Sequence, residues 1–92
     1  MTSDAPIAEG DYSEIADAQL DELEHTDGAL YNDILTVCEQ IFLNPARARS
    51  MSAAITSSNG IVFRLAVPGR APSKVFWSAD GPRIEAVFPY PT

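Results

Sequence analysis

Residues 61–67 read Ile-Val-Phe-Arg-Leu-Ala-Val and give the clearest strand pattern in this chain of 92 residues. Side chains alternate between the two faces of a strand, so the odd-numbered positions, which are all apolar, share one face. The opposite face carries a single cation, Arg64. Turn pairs bound the segment at Asn59-Gly60 and Pro68-Gly69. We therefore predict a central strand with one face on the core and Arg64 on an open face.

Three more strands are predicted around this central strand, because apolar residues alternate in each and turn residues separate them. They cover residues 50–56, 73–78 and 83–88. The residues expected to face inward are Met51, Ala53 and Ile55 in the first, Val75 and Trp77 in the second, and Ile84, Ala86 and Phe88 in the third. Short turns favour antiparallel neighbours, so the second half of the chain is predicted to be a four-stranded antiparallel β-meander.

The first half of the chain has helical periodicity instead. A first helix is expected to begin after an N-cap at Asp11 or Ser13 and to end near Glu24 or His25. The residues expected in its buried stripe are Ile15, Ala16, Gln19, Leu20 and Leu23. Five acids lie mostly outside this stripe and make the helix strongly acidic.

The second helix is predicted over residues 29–43, where apolar residues recur at the helical period. Thr26 or Asp27 is expected to cap its start, and Asn44-Pro45 to end it, because a residue before proline avoids the helical region. The short connection between the two helices favours an antiparallel helical hairpin.

A helical hairpin packed on one face of an antiparallel meander is a two-layer α+β fold. We expect residues 11–92 to form this single domain. Residues 1–10 are expected to be a flexible N-terminus or a short N-terminal edge strand around Ile7.

The composition also limits the chemistry. No apolar run is long enough to cross a bilayer, and residues 1–9 lack the pattern of a signal peptide, so a cytoplasmic location is expected. The single cysteine, Cys38, lies in a helical apolar pattern and is expected to be buried. No Cys/His spacing or glycine-rich phosphate loop is present, so neither a metal nor a cofactor is expected.

Charge is distributed unevenly along the chain. Residues 1–44 contain eleven acids and no Lys or Arg, whereas residues 45–92 contain six cations and two acids. Two interpretations remain open. The opposite charges can help the two halves dock, or the second half can present a basic surface to a polyanion.

The predicted elements follow one another as a short N-terminal strand, a helical hairpin and a β-meander. Several local features of the sequence accompany this order. These features are Asn44-Pro45 followed by Arg47 and Arg49, the strand at residues 60–65, the strand at residues 75–77 after the Gly69-Arg70 turn, and the closing residues 84–88. Together they resemble the RelE/ParE superfamily of small bacterial toxins over about residues 7–90.

This resemblance implies a toxin-like component of a type II toxin-antitoxin system. RelE-like members are ribosome-dependent mRNA endonucleases, and ParE-like members poison DNA gyrase. Both kinds are neutralised by a cognate antitoxin that wraps the toxin. The implied partners are therefore an antitoxin, together with either the ribosome and mRNA or DNA gyrase.

The resemblance and the strand alternation also indicate candidate site residues. The catalytic candidates are Arg64, Lys74, Arg83, Glu85 and Tyr90. The cations among them would stabilise charge on the scissile phosphate, and Glu85 or Tyr90 would act as acid or base. The additional RNA-contacting candidates are Arg47, Arg49 and Arg70. Phe76 is expected on the same open face, where it could stack on a base.

Three features depart from the RelE-like pattern. Lys74 stands where active members usually carry arginine, the only histidine, His25, lies in the helix–helix turn, and the net charge is −7. The alternative is a non-enzymatic interaction module, either an inactive toxin relative or a gyrase-type poison, that binds a protein partner through its acidic helices.

Overall fold

The computed structural model describes residues 10–57, 60–79 and 81–88. These residues form three helices and a five-stranded mixed sheet. The elements are β1 (Asp11–Tyr12), α1 (Glu14–Thr26), α2 (Gly28–Leu43), α3 (Pro45–Met51), β2 (Ala53–Ser57), β3 (Gly60–Ala66), β4 (Lys74–Ser78) and β5 (Arg83–Phe88). The predicted α+β class is confirmed.

The strand order in the sheet is β1-β5-β4-β3-β2. Strands β2 to β5 form the predicted antiparallel meander, and β1 is added parallel to β5. The expectation of a short strand around Ile7 lies outside the described residues. The first strand that the structure describes is Asp11–Tyr12, so Asp11 belongs to the sheet and does not cap a helix.

Helix α1 begins after Ser13, whose hydroxyl accepts a hydrogen bond from the Ala16 backbone amide at 3.0 Å. Ser13 was therefore the correct one of the two predicted caps. The prediction that Ile15 is buried is wrong, because this side chain is 63% exposed. The stripe that packs on β5 starts one residue later, at Ala16, and Ile15 projects beside it.

Asp27 caps α2, as one of the two alternatives predicted, and accepts a hydrogen bond from the Leu30 amide at 3.2 Å. Asn44 ends α2, but it also caps a helix that the sequence analysis missed. Its side chain accepts a hydrogen bond from the Arg47 amide, and Pro45 occupies the first turn of α3. Asn44-Pro45 therefore ends α2 and also begins α3, since proline is favoured at the first helical position.

The prediction that Met51, Ala53 and Ile55 face inward in the first meander strand is wrong. Met51 lies in α3 and is 50% exposed, and the strand begins only at Ala53. The register pairs Ala53 with Arg64 and Ile55 with Val62, so Ala53 and Ile55 share the open face with Arg64. Ile61, at the start of β3, is also exposed, because β2 and the adjoining end of β3 extend beyond the helical layer.

Strand β5 contains a β-bulge at Glu85. Trp77 pairs with Ile84 and Phe76 pairs with Ala86, which leaves Glu85 without a partner on β4. The alternation of β5 therefore reverses after Ile84. Val87 is buried, whereas Ala86 and Phe88, both predicted to face inward, lie on the open face.

The core lies between the helices and the inner face of the sheet. Its largest fully buried side chains are Trp77, Ile34, Ile41, Ile84, Val75, Val87 and Cys38. Burial raises the pKa of the Cys38 thiol to about 12, so this cysteine is a packing residue, as expected. The helices cover one face of the sheet, and the other face carries the candidate site.

Candidate nucleic-acid interface

The side chains that point away from the helices form a surface that we call the open face. It consists of Ala53, Ile55, Val62, Arg64, Ala66, Lys74, Phe76, Ser78, Arg83, Ala86 and Phe88. None of these residues belongs to the buried core, and among the described residues no helix or strand covers them. The two-layer fold thus leaves one side of its sheet available for contact.

Cations and aromatic rings alternate on this face. Arg64 pairs across the sheet with Phe76, and Lys74 pairs with Phe88. The Lys74 ammonium nitrogen lies 5.2 Å from the centre of the Phe88 ring, a distance typical of a cation–π contact. Arg64 is a diagonal neighbour of Lys74, so the two charges lie close together.

No described carboxylate neutralises the positive charge of this pair. In the described part of the chain, neither Arg64 nor Lys74 lies within 4.0 Å of a carboxylate oxygen. No acid occurs between Glu39 and Asp80 in the sequence, a stretch that contains five of the six cations. The centre of the open face is therefore basic although the whole chain is acidic.

Arg83 occupies a different electrostatic environment at one corner of the face. Its Nε atom lies 3.7 Å from a carboxylate oxygen of Asp11, which the parallel pairing of β1 and β5 places beside it. This Nε atom is shielded from solvent and has no hydrogen-bond partner among the described residues. The side chain as a whole is 43% exposed, so the remaining guanidinium nitrogens can still reach an anion.

The bulge brings Glu85 to the same corner. Ser78 donates a hydrogen bond from its hydroxyl to Oε2 of Glu85 at 2.8 Å. Ser78, Arg83 and Glu85 line one groove of about 1050 Å³. A carboxylate that is oriented by a hydroxyl and lies near an arginine is a suitable general base beside a bound phosphate.

The structure places the remaining candidates that it describes away from this face. The Arg49 guanidinium lies 5.4 Å from the centre of the Phe63 ring, which faces the helices. Arg70 forms a salt bridge of 2.6 Å with Asp33 of α2. Arg47 is exposed on α3, in the helical layer. Tyr90 lies outside the described residues.

Several residues of the open face and its corner were missed by the sequence analysis. Asp11 was expected only as one of two alternative helix caps, Phe88 was placed in the core, and Ser78 was given no role. The bulge explains why Phe88 lies on the open face, and it also explains the contact between Ser78 and Glu85. The placement of Arg64, Lys74 and Phe76 on the open face followed correctly from simple alternation.

Both interpretations of the charge asymmetry find some support. Two salt bridges between the acidic and basic halves occur among the described residues, Arg70–Asp33 and Arg83–Asp11. These contacts help the halves to dock. Among the described residues, no carboxylate forms a salt bridge with Arg64 or Lys74 at the sheet surface, or with Arg47 or Arg49 on the helical side.

The comparisons with known proteins identify no relative. No protein-family model matches this chain, and neither a curated protein nor a solved structure is significantly similar to it. Within the described ranges, no helix combines the length and apolar character that are needed to span a membrane.

Proposed function

We propose that the open face binds single-stranded RNA. The observation that carries this proposal is the alternation of Arg64 and Lys74 with Phe76 and Phe88 on a sheet face that no described helix or strand covers. Aromatic side chains on a sheet stack on unpaired bases, and neighbouring cations bind the phosphates between those bases. Each stacked base contributes about 1–3 kcal/mol, so two rings and two cations are sufficient for measurable binding.

Single-stranded RNA fits this surface better than a duplex. The rings are half-buried in a sheet and present their faces only to bases that are not already stacked in a helix. In addition, the acidic helices would repel a second phosphate strand that wrapped around the domain. The ligand is therefore expected to be a short unpaired segment that lies across β3, β4 and β5.

In its specific form, the proposal is the toxin-like activity that the resemblance implies, ribosome-dependent cleavage of mRNA in the cytoplasm. Glu85 would take the proton of a 2′-hydroxyl, whose oxygen attacks the adjacent phosphorus while the 5′-oxygen leaves. Arg83 and Arg64 would stabilise the charge that develops on the phosphoryl oxygens. A cognate antitoxin would be the protein partner, and the ribosome would present the mRNA.

A binding titration tests the RNA proposal. Fluorescence anisotropy with a labelled 12-nucleotide single-stranded RNA should show salt-dependent binding. The double variant R64A/K74A should bind much more weakly, and the slope of log K against log salt should become shallower by about 1.4. Arg47→Ala removes a cation from the helical side and should have little effect. Equal losses in both variants would point to non-specific attraction and contradict the proposed face.

A second candidate function rests on the acidic surface of α1. Asp17, Asp21 and Glu24 are exposed and follow one another at helical spacing, so they form one acidic stripe. Such a stripe could hold a basic protein segment. The charge-reversal variant D21K/E24K should then abolish the binding of a lysine-rich peptide but leave RNA binding intact. An unchanged peptide affinity would rule this candidate out.

A further inference from the structure

The two outer edges of the sheet are finished in different ways. At one edge, the short strand β1 pairs with only the first part of β5. Beyond the end of β1, side chains of α1 and of the residue before it form hydrogen bonds with the backbone of β5. The Ser13 hydroxyl donates to the Glu85 carbonyl at 2.6 Å, and the Val87 amide donates to Oε1 of Gln19 at 2.8 Å. These side chains satisfy backbone groups that a further strand would otherwise pair.

The opposite edge, β2, has no such protection. Strand β2 pairs only with β3, and no other described residue covers its outer side. Its sequence, Ala-Ala-Ile-Thr-Ser, contains no charge and no proline, the features with which edge strands usually resist pairing. Residues 53–56 are exposed on both faces, and Ile55 is 36% exposed. The outward backbone groups of β2 are thus accessible to another extended chain.

Two arginines flank this edge, one on each face of the sheet. On the open face, only Ala53 lies between Arg64 and the edge, because the register pairs these two residues. On the helical face, Ala54 pairs with Phe63, and the Arg49 guanidinium lies over the Phe63 ring. A sixth strand would lie about 10 Å from β3, a gap that an arginine and a glutamate side chain extended towards each other can span.

The positive charge beside the β2 edge favours an acidic partner strand. The stretch from α3 to β4 contains no acid at all, so nothing within it competes for Arg49 or Arg64. A second copy of this chain that paired β2 with β2 would bring these arginines no carboxylate, because residues 45–78 of each copy contain no acid. A segment with carboxylates on both of its faces would instead meet one arginine on each side.

We infer that β2 is a docking edge for an extended acidic segment of another protein, which pairs with β2 as a sixth strand. Main-chain hydrogen bonds to β2 supply the general affinity, as in other cases of strand addition. Adjacent acidic residues of the segment point to opposite faces, one towards Arg64 and the other towards Arg49. This inference does not depend on RNA binding, because it uses the edge and not the aromatic rings of the open face.

Synthetic peptides test the inference. An acetylated fluorescent peptide of sequence TVEEVT should bind the full chain, and its counterpart TVKKVT should bind at least about tenfold more weakly, a difference of about 1.4 kcal/mol. N-methylation of alternate residues of TVEEVT, on the side that faces β2, should abolish binding, since it removes the donors that pair with β2. Equal affinity for both charge versions, or unchanged binding after N-methylation on the side that faces β2, would overturn the proposal.

Matched variants locate the site. Ile55→Glu places a carboxylate on β2 and should weaken TVEEVT binding about tenfold. Thr36→Glu adds the same charge on the exposed side of α2, away from β2, and should leave the affinity unchanged. If Ile55→Glu fails to fold by circular dichroism, Thr56→Glu replaces it. Wild-type affinity in a folded edge variant, or concentration-dependent dimerisation of the chain that Ile55→Glu abolishes, would contradict an acidic partner strand.

Discussion

The charge of Arg64 at the sheet surface has no described carboxylate within ion-pair distance, whereas Arg70 and Arg83 each face an aspartate. This difference separates residues that interact with the fold from a residue that is available to a ligand. Partly exposed salt bridges such as Arg70–Asp33 contribute about 0–1 kcal/mol, so their loss would be a weak effect. An unpaired cation beside aromatic rings is more consistent with binding than with stability.

Gln19 shows how one polar residue completes the sheet, and it gives a testable prediction. Its side chain accepts the Val87 amide inside the protein, so Gln19→Leu would leave that amide buried and unsatisfied. We expect a loss of about 1–3 kcal/mol in the free energy of unfolding. Urea denaturation measures it, and Gln40→Leu, on the exposed side of α2, is the control. A loss no larger than in this control would contradict the role given to Gln19.

At the scale of elements, the sequence predicted well wherever one periodicity ran without interruption. Helix α2 and strands β3 and β4 follow such patterns, and so the placement of Arg64, Lys74 and Phe76 on the open face was predictable. The failures occur at local breaks. Helix α3 was missed because Asn-Pro was taken only as a stop, and the bulge at Glu85 reversed half of β5. A bulge depends on tertiary contacts, here those of Ser13 and Gln19 with β5, which one sequence does not display.

The end of α1 gives a prediction of pH dependence. Nδ1 of His25 lies 2.9 Å from the Asp21 carbonyl, and this contact, followed by the charge of Asp21, raises the pKa of His25. A raised pKa in the folded state means that the charged imidazole stabilises the fold. That contribution is fully present below the unfolded pKa and is lost as the pH rises through the folded pKa.

The variant His25→Ala isolates this contribution. It should lower the melting temperature more at pH 5 than at pH 9, and the effect should be small, because the side chain is exposed. Thermal denaturation at both pH values, with wild type in parallel, measures the difference. A larger loss of melting temperature at pH 9 than at pH 5 would contradict a stabilising role for the charged imidazole.

At the scale of the whole molecule, stability depends on a small core centred on Trp77. This side chain is fully buried, its ring centre lies 5.0 Å from that of Phe63, and its indole nitrogen donates to the Ser52 hydroxyl at 3.1 Å. The core thereby joins β3, β4 and the residue that follows α3. Loss of this one ring would affect both layers.

Trp77→Ala should therefore remove about 3–5 kcal/mol, a large part of the stability of so small a domain. We expect the variant to be largely unfolded at 37 °C by circular dichroism. Phe42→Ala, which removes a half-buried ring at the other end of the core, is the control and should be milder. A cooperative melt for Trp77→Ala close to that of wild type would contradict this description of the core.

The whole molecule also has two chemically different sides, since the acids are concentrated on the helices and the unpaired cations of β3 and β4 lie on the open face. The most direct test of RNA binding is a nuclear magnetic resonance titration of labelled protein with single-stranded RNA. The backbone amides of Arg64, Lys74 and Phe76 should shift most, and those of α1 and α2 should remain in place. Shifts concentrated on the helices, or no shifts at RNA concentrations that saturate the anisotropy signal, would contradict binding at the open face.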